Sequence, residues 1–323
     1  MRRPRARGNF ESDKGMIGLK QFRGALLLTL TALIWGTAFV AQSLGMDYLG
    51  PFTFNGVRNF VAAVGLLPVI AFLRRRQGKA EARGAAGNSR KTLWVGGVLC
   101  GLALGVASSL QQIGIQFTTV GKAGFLTALY IVIVPLLGLL LKKRVALPVW
   151  VSVVIAAAGT YLLSIQEDFT IAAGDLFVIL CAVCFSVHIL LVDRFSPSVN
   201  GVELSCIQFL VAGVFSTIVA FLVETPNVQD ILRSWGPILY TGLISSGVGY
   251  TLQILGQKDT PPAVASLIMS LESVFAALSG WLLLGQGMTG REAVGCALVF
   301  AAVVLAQIPF DALRGRSAAK KRA

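Results

Sequence analysis

The sequence predicts an all-α integral membrane protein whose ten transmembrane helices form two five-helix repeats of inverted topology. Three observations predict it: ten apolar stretches of membrane-crossing length, a one-sided distribution of basic residues, and internal similarity between the two halves of the chain.

The spans come first. Over 323 residues the chain is 55% hydrophobic and 13% charged, with a mean hydropathy of +0.75, which is too apolar for a water-facing globule. A hydrocarbon layer of about 30 Å takes about 20 helical residues to cross. Runs that meet this requirement lie at 24–44, 53–73, 93–116, 121–141, 147–165, 174–192, 202–223, 236–256, 262–284 and 291–309. The first 23 residues are polar and basic, and the run behind them is longer than the apolar core of a cleavable signal, so span 1 is expected to remain as a signal anchor. The longest connection, 74–92, is rich in Arg, Gly and Ala and reads as a solvated linker. The expected divisions are a basic cytoplasmic tail at 1–23, a first repeat at 24–165, a second at 174–309, and a basic tail at 310–323.

A formal net charge of +13 could point to nucleic acid, so the location of the basic residues decides. Of the 28 Lys and Arg, 24 fall in the tails and in loops on the same side as the N-terminus. Only Lys122, Arg233 and Arg291 fall opposite, and Arg58 lies inside span 2. That asymmetry puts both termini in the cytoplasm. It accounts for the charge without a nucleic-acid partner, leaving the lipid bilayer as the partner it implies.

Similarity between the halves decides the architecture. Gln112–Thr119 in span 3 aligns with Gln253–Thr260 in span 8 at an offset of 141, matching two glutamines and a threonine. Leu129–Leu141 in span 4 aligns with Leu271–Leu283 in span 9 at an offset of 142, and Asn59–Val64 aligns with Gln208–Val214 at 149 with one inserted residue. A five-span unit has an odd number of crossings, so its second copy starts from the opposite side. Inverted repeats of this kind characterise secondary transporters, which bind their cargo near the midplane where the repeats meet.

Polar residues inside the spans are the candidates for that site. Glu272 falls near the centre of span 9, where an acid costs roughly 2.5–3.5 kcal/mol on insertion scales and is expected to face a cavity, a partner or a substrate. Ala265, Ala276, Ser279 and Gly280 share its helical face, which allows close helix packing or open volume beside the acid. The offset of 142 places Tyr130 opposite Glu272 across the twofold, with Thr127 on the same face of span 4. Spans 3 and 8 carry ladders of Ser109, Gln112 and Gln116 and of Ser246, Tyr250, Gln253 and Gln257, each at helical spacing and expected to look inward. Four of five tryptophans sit at span ends, as interfacial anchors do, but Trp35 lies at mid-depth with Thr31 and Gln42 on its face. It offers an aromatic wall for a substrate or cation, with core packing as the alternative. His188 in span 6 is a cavity or proton-relay candidate, or a hydrogen-bonded packing residue. Arg58, flanked by Asn55 and Asn59, either snorkels to the interface, attracts an anionic group or pairs with Glu272.

Other chemistry is not expected. The five cysteines lie within spans, and Cys181 and Cys184 read as packed thiols. One histidine rules out a multi-histidine metal site, and no H-E-x-x-H, G-x-S-x-G or Walker sequence occurs, so neither an enzyme nor a cofactor is expected. Spans 5 and 10 carry almost no polar residues and are expected to face lipid or another subunit, leaving a homodimer open.

The segments Ile34–Val40, Pro51–Ala63, Gly121–Leu141 and Ser266–Gly285, in order and with the duplication, resemble the drug/metabolite transporter superfamily, specifically its ten-helix members built from two EamA domains. The resemblance covers residues 24–309. It implies a plasma-membrane (inner-membrane) carrier that moves small metabolites, with export the expected direction, through a cavity lined by spans 1–4 and 6–9. Two positions depart from the family pattern: Ser273 replaces a Pro after the Glu, and Gln286 replaces an acid at the end of span 9. The functional expectation is alternating access, one repeat rocking against the other, for small molecules such as amino acids or amines, with proton coupling left open. A membrane-embedded enzyme and a receptor or scaffold without flux are the alternatives.

Overall fold

Hydrocarbon offers no partner to a peptide N–H or C=O, so each apolar stretch must close its hydrogen bonds within itself as a helix. The computed structural model describes residues 7–76, 88–118, 120–164, 173–284 and 288–308, and helices dominate them. The 310–323 tail, Thr119 and Gln286 lie outside the described residues. Spans 1 to 3 are α1 (Arg7–Gly45), α2 (Pro51–Arg76) and α3 (Asn88–Ile115). Span 4 is split into α4 (Val120–Ala128) and α5 (Tyr130–Leu140), and spans 5 to 7 are α6 (Leu147–Ser164), α7 (Ala173–Phe195) and α8 (Gly201–Val223). After the short α9 (Val228–Arg233), span 8 runs through α10 (Trp235–Leu239), a π-helical stretch at Tyr240–Tyr250 and α11 (Thr251–Gln257). Span 9 is split into α12 (Pro262–Met269) and α13 (Leu271–Leu284), and span 10 is α14 (Gly290–Gln307). Among the described residues nine spans are long and apolar enough to cross a membrane, and span 5 contributes a shorter apolar helix, Leu147–Leu163. The helix of span 1 begins at Arg7, so the described part of the basic tail continues it. Below, the face where α1 begins and α14 ends is called the near face.

Spans 4 and 9 are each interrupted for one residue at mid-depth, Leu129 and Ser270, where the backbone stays in the right-handed helical region but the hydrogen-bond ladder tightens. In span 4 the amide of Leu129 reaches back only three residues to Leu126 O (3.3 Å), and that of Val132 bonds to Leu129 O (3.0 Å). In span 9 the amide of Ser273 bonds to Ser270 O (3.2 Å), the equivalent bond at an offset of 141. The hydroxyls of Ser266 and Ser270 donate to the carbonyls of Ala263 (3.0 Å) and Leu267 (2.7 Å), drawing acceptors away from the regular ladder. Span 9 therefore breaks without the proline that Ser273 replaces. The break also corrects the register of the repeats: Tyr130 is the first residue of its second half-helix and Glu272 the second of its own, so the two are one residue out of strict equivalence.

The main packings come in twofold-related sets, and each joins one repeat to the other. Span 2 packs on span 7 and span 5 on span 10, while span 1 lies against spans 8 and 9 just as span 6 lies against spans 3 and 4. At the far face the carboxylate of Glu224, which ends α8, accepts the amides of Phe52 (2.9 Å) and Thr53 (2.8 Å), satisfying the first turn of α2. At the near face the same two spans are joined by Arg74 Nε and Glu203 Oε1 at 2.8 Å. Spans 4 and 6 are likewise tied at both faces, by Lys122–Asp175 (2.5 Å) and by Lys143–Asp193.

Spans 5 and 10 were expected to face lipid or a second subunit. One face of each, lined by small residues, packs on the other span. A Cβ on Gly295 would lie 2.6 Å from Gly159 O and 2.7 Å from Leu163 N, so backbones touch where side chains would stand. Their opposite faces, with Val154, Val294 and Phe300, remain exposed. Gly295→Val is expected to force these backbones apart at a cost of about 1–3 kcal/mol, read as a fall in Tm in detergent. Gly290→Ala is the control, since its Cβ would meet nothing within 4 Å and should leave Tm unchanged.

Candidate functional site

The site is built where span 1 crosses the break in span 9. At Gly36 an added Cβ would fall 2.6 Å from the Glu272 carbonyl and 2.8 Å from the Ala276 amide, so only glycine lets α1 lie directly on the first turn of α13. This contact fixes the backbone that carries Glu272. The side chain turns to span 4, where Tyr130 donates its hydroxyl to Glu272 Oε1 at 2.9 Å. Both groups are buried, with 2% and 3% of their surfaces exposed. A mid-membrane acid thus finds a neutral donor from the other repeat.

Around this bond lies a cavity with about 500 Å³ of empty space, its open mouth included. Its walls come from spans 1 to 4, 6, 8 and 9. Span 7, included by the sequence comparison, contributes no lining residue among those described; it stands behind the wall through Gln208 and Phe209. Spans 5 and 10 stand apart, as expected.

One wall is aromatic. Trp35 tilts against Tyr250 with ring centroids 4.6 Å apart, and its indole N–H donates to Ser245 O at 3.2 Å. Thr31, one turn earlier, donates to Gly249 O at 3.2 Å. Both acceptors lie in the π-helical stretch of span 8, a wide form of helix that recurs at functional sites. Behind Tyr250 the rings of Phe209 and His188 stand edge-on at 5.7 and 5.8 Å.

Arg58 enters from span 2. It is buried rather than snorkelling, with 5% of its surface exposed. Its Nη1 donates to Gln42 Oε1 at 3.1 Å, its guanidinium carbon lies 5.6 Å from the Phe54 ring centre, and Nε has no partner. Among the described residues no ion pair joins Arg58 to Glu272, although both line the cavity.

Of the residues singled out in the sequence, Glu272, Tyr130, Trp35, Gln42, Arg58, Thr127, Tyr250 and Gln253 line this one cavity. Three do not. Gln112 turns aside and donates to Gln42 O at 3.1 Å, bracing α1 at the residue whose side chain accepts from Arg58. Gln116 lies beyond the end of α3, exposed, because the helix stops at Ile115. His188 is fully buried against Gln208 Oε1 at 3.0 Å, with its ring edge-on to Tyr250, which does line the cavity. Lining residues missed in the sequence are Phe39, Gln111, Phe185, Ile189 and Ser245. Phe39 follows Trp35 by one helical turn and was legible from spacing. Gln111 donates to Thr127 Oγ1 at 3.2 Å; its neighbour Gln112 drew attention to the wrong member of the pair. Asp175 was also missed: wholly buried at the start of α7, it accepts from Thr118 (2.9 Å) and Lys122 and anchors three helix ends.

A broken-helix cavity between inverted repeats is the architecture of a membrane carrier, and comparison with known proteins agrees. The EamA-like transporter family matches residues 22–165 and again 172–307, so the chain belongs to this family and is a multi-pass membrane transporter, not an enzyme. It is 30% identical over 298 residues to an uncharacterized transporter of Archaeoglobus fulgidus, covering 91% of this chain and 89% of that one. It is 25% identical over 283 residues to the threonine/homoserine exporter RhtA of Escherichia coli K12, covering 86% and 88%. A crystal structure superposes with a TM-score of 0.71 at 19% identity, covering 88% of this chain and 96% of the other, and shares the fold.

Tyr130→Phe removes the donor to Glu272 while keeping the ring. It is expected to lower stability by about 1–3 kcal/mol, measured as Tm in detergent. Tyr161→Phe, at a half-exposed ring packed on Phe125, should cost far less.

Proposed function

We propose that the protein is a secondary transporter that exports small metabolites, such as amino acids or amines, across the plasma membrane by alternating access. One observation carries this reading. An acid and a tyrosine from opposite repeats meet at 2.9 Å on the wall of a cavity, each in the first turn of a half-helix that starts at a break. Discontinuous helices at the repeat interface are where inverted-repeat carriers bind cargo. Glu272 takes either the substrate's ammonium or a coupled proton, and Tyr130 releases or re-forms its bond as the acid changes partner. The relatives named as threonine/homoserine exporters, in Salmonella typhimurium and Escherichia coli, support amino acids as cargo and export as direction. The basic residues gathered on the near face support a cytoplasmic location for both termini.

The motion that the architecture favours is local. The main packings all interleave the repeats, so rocking one rigid half against the other would break most of the core. Bending at Leu129 and Ser270 shifts the mid-depth ends of the half-helices of spans 4 and 9, with the outer ends of span 4 held to span 6, while spans 2 and 7, packed on each other and joined at both faces, stand as a frame.

Counterflow into proteoliposomes loaded with an unlabelled amino acid mixture tests the proposal, because exchange requires a carrier whereas a receptor binds without flux. Glu272→Gln is expected to lower labelled uptake at least about tenfold, the size of losing one charge-assisted bond, and to flatten its pH dependence. Uptake and pH profile matching the parent protein would remove Glu272 from the mechanism.

A further inference from the structure

A basic and an acidic side chain, Arg58 and Glu272, line one cavity, and each is more than nine-tenths buried, yet they do not pair. The four ion pairs among the described residues all lie elsewhere: Arg74–Glu203, Lys122–Asp175, Lys143–Asp193 and Arg233–Asp230. The fold supplies a counter-ion to buried Asp175, so leaving Arg58 and Glu272 apart is a feature of this cavity. Each is held off by a neutral partner, Gln42 Oε1 on the guanidinium and the Tyr130 hydroxyl on the carboxyl. An uncompensated charge is costly in a low-dielectric site. A bound molecule that brings the complementary charges removes that cost.

Resting on the transport reading above, we infer that Arg58 and Glu272 are the two poles of one dipolar binding site. Arg58 with Gln42 takes a carboxylate, Glu272 with Tyr130 takes an ammonium, and the cargo is a small α-amino acid bound as its zwitterion. Charge balance selects this class over the others. A zwitterion leaves the occupied site with the net charge of the empty one, whereas an amine or a carboxylate alone adds a full charge to it. The guanidinium suits the carboxylate pole, because its planar fork matches two carboxylate oxygens and Nε has no partner.

The remaining lining mixes Phe39, Phe185 and Ile189 with Gln111, Thr127 and Ser245, which suits a small side chain of either polarity.

The test uses the purified full-length chain and the twenty protein L-amino acids as probes, first by thermal shift and then by titration. For the amino acid with the largest shift, its decarboxylated amine and its deaminated acid are measured in parallel. Both analogues are expected to bind at least about tenfold more weakly than the parent amino acid, the loss of one charge-assisted contact. Arg58→Gln should weaken the amino acid by a similar factor but leave the amine unchanged, and Glu272→Gln should weaken the amino acid but leave the acid unchanged. Arg58→Lys, which keeps the charge and loses the fork, should fall between, and it serves if the glutamine variant does not fold. Binding of an amine or an acid as tightly as the amino acid, or no shift with any of the twenty, overturns the inference. Counterflow separates it from the transport reading: the two-pole pattern without exchange refutes transport alone, and exchange of a singly charged metabolite with no amino-acid binding refutes the dipolar site alone.

Discussion

A polar group placed in hydrocarbon must find a partner inside the protein, and in this chain the demand is most acute at Glu272. Its partner, the Tyr130 hydroxyl, comes from the other repeat. For that bond to form, span 9 has to offer the acid from the start of a half-helix, span 4 has to break at the same depth, and span 1 has to approach closely enough that only Gly36 fits. The cavity lies around that bond, with Tyr130 and Glu272 both in its lining. Breaks in the backbone ladder are affordable here only because they line an interior space rather than lipid.

The inverted repeat builds the frame, and departures from it build the site. Spans 2 and 7, and spans 5 and 10, cross their own twofold mates, with backbones meeting at Gly159 and Gly295. Within the cavity symmetry fails usefully. Tyr130 and Glu272 are chemically unlike and one residue out of register, and Arg58 stands where the second repeat has Ile207. Ion pairs tie span 4 to span 6 at both faces, while among the described residues none ties the related pair, spans 9 and 1. The half-helices of span 4 are therefore tied to their neighbour by ion pairs that those of span 9 lack among the described residues.

Much of this was legible without coordinates. Ten apolar runs, basic residues gathered on one side and two offsets near 141 specified the number of helices and their inversion, because hydrophobic length and charge asymmetry act locally and survive in a linear reading. Glu272, Tyr130 and Trp35 stood out for the same reason: each is anomalous for its depth. Gln116 misled because helix ends depend on contacts beyond the helix, and α3 stops at Ile115. Gln111 and Gln112 are identical residues a hundred degrees apart on one helix, and nothing in the chain says which of them meets Thr127.

The amino-acid sequence by itself determined the membrane class, the duplicated inverted plan and which buried polar residues would need partners, since those properties are set by composition and period. Tertiary structure alone decided who those partners are. It matched Glu272 with Tyr130 and Arg58 with Gln42, held the acid and the guanidinium apart in one cavity, and turned spans 5 and 10 toward each other. Such pairings depend on where a helix breaks and how closely two backbones approach, and these are set by packing among residues distant in the chain.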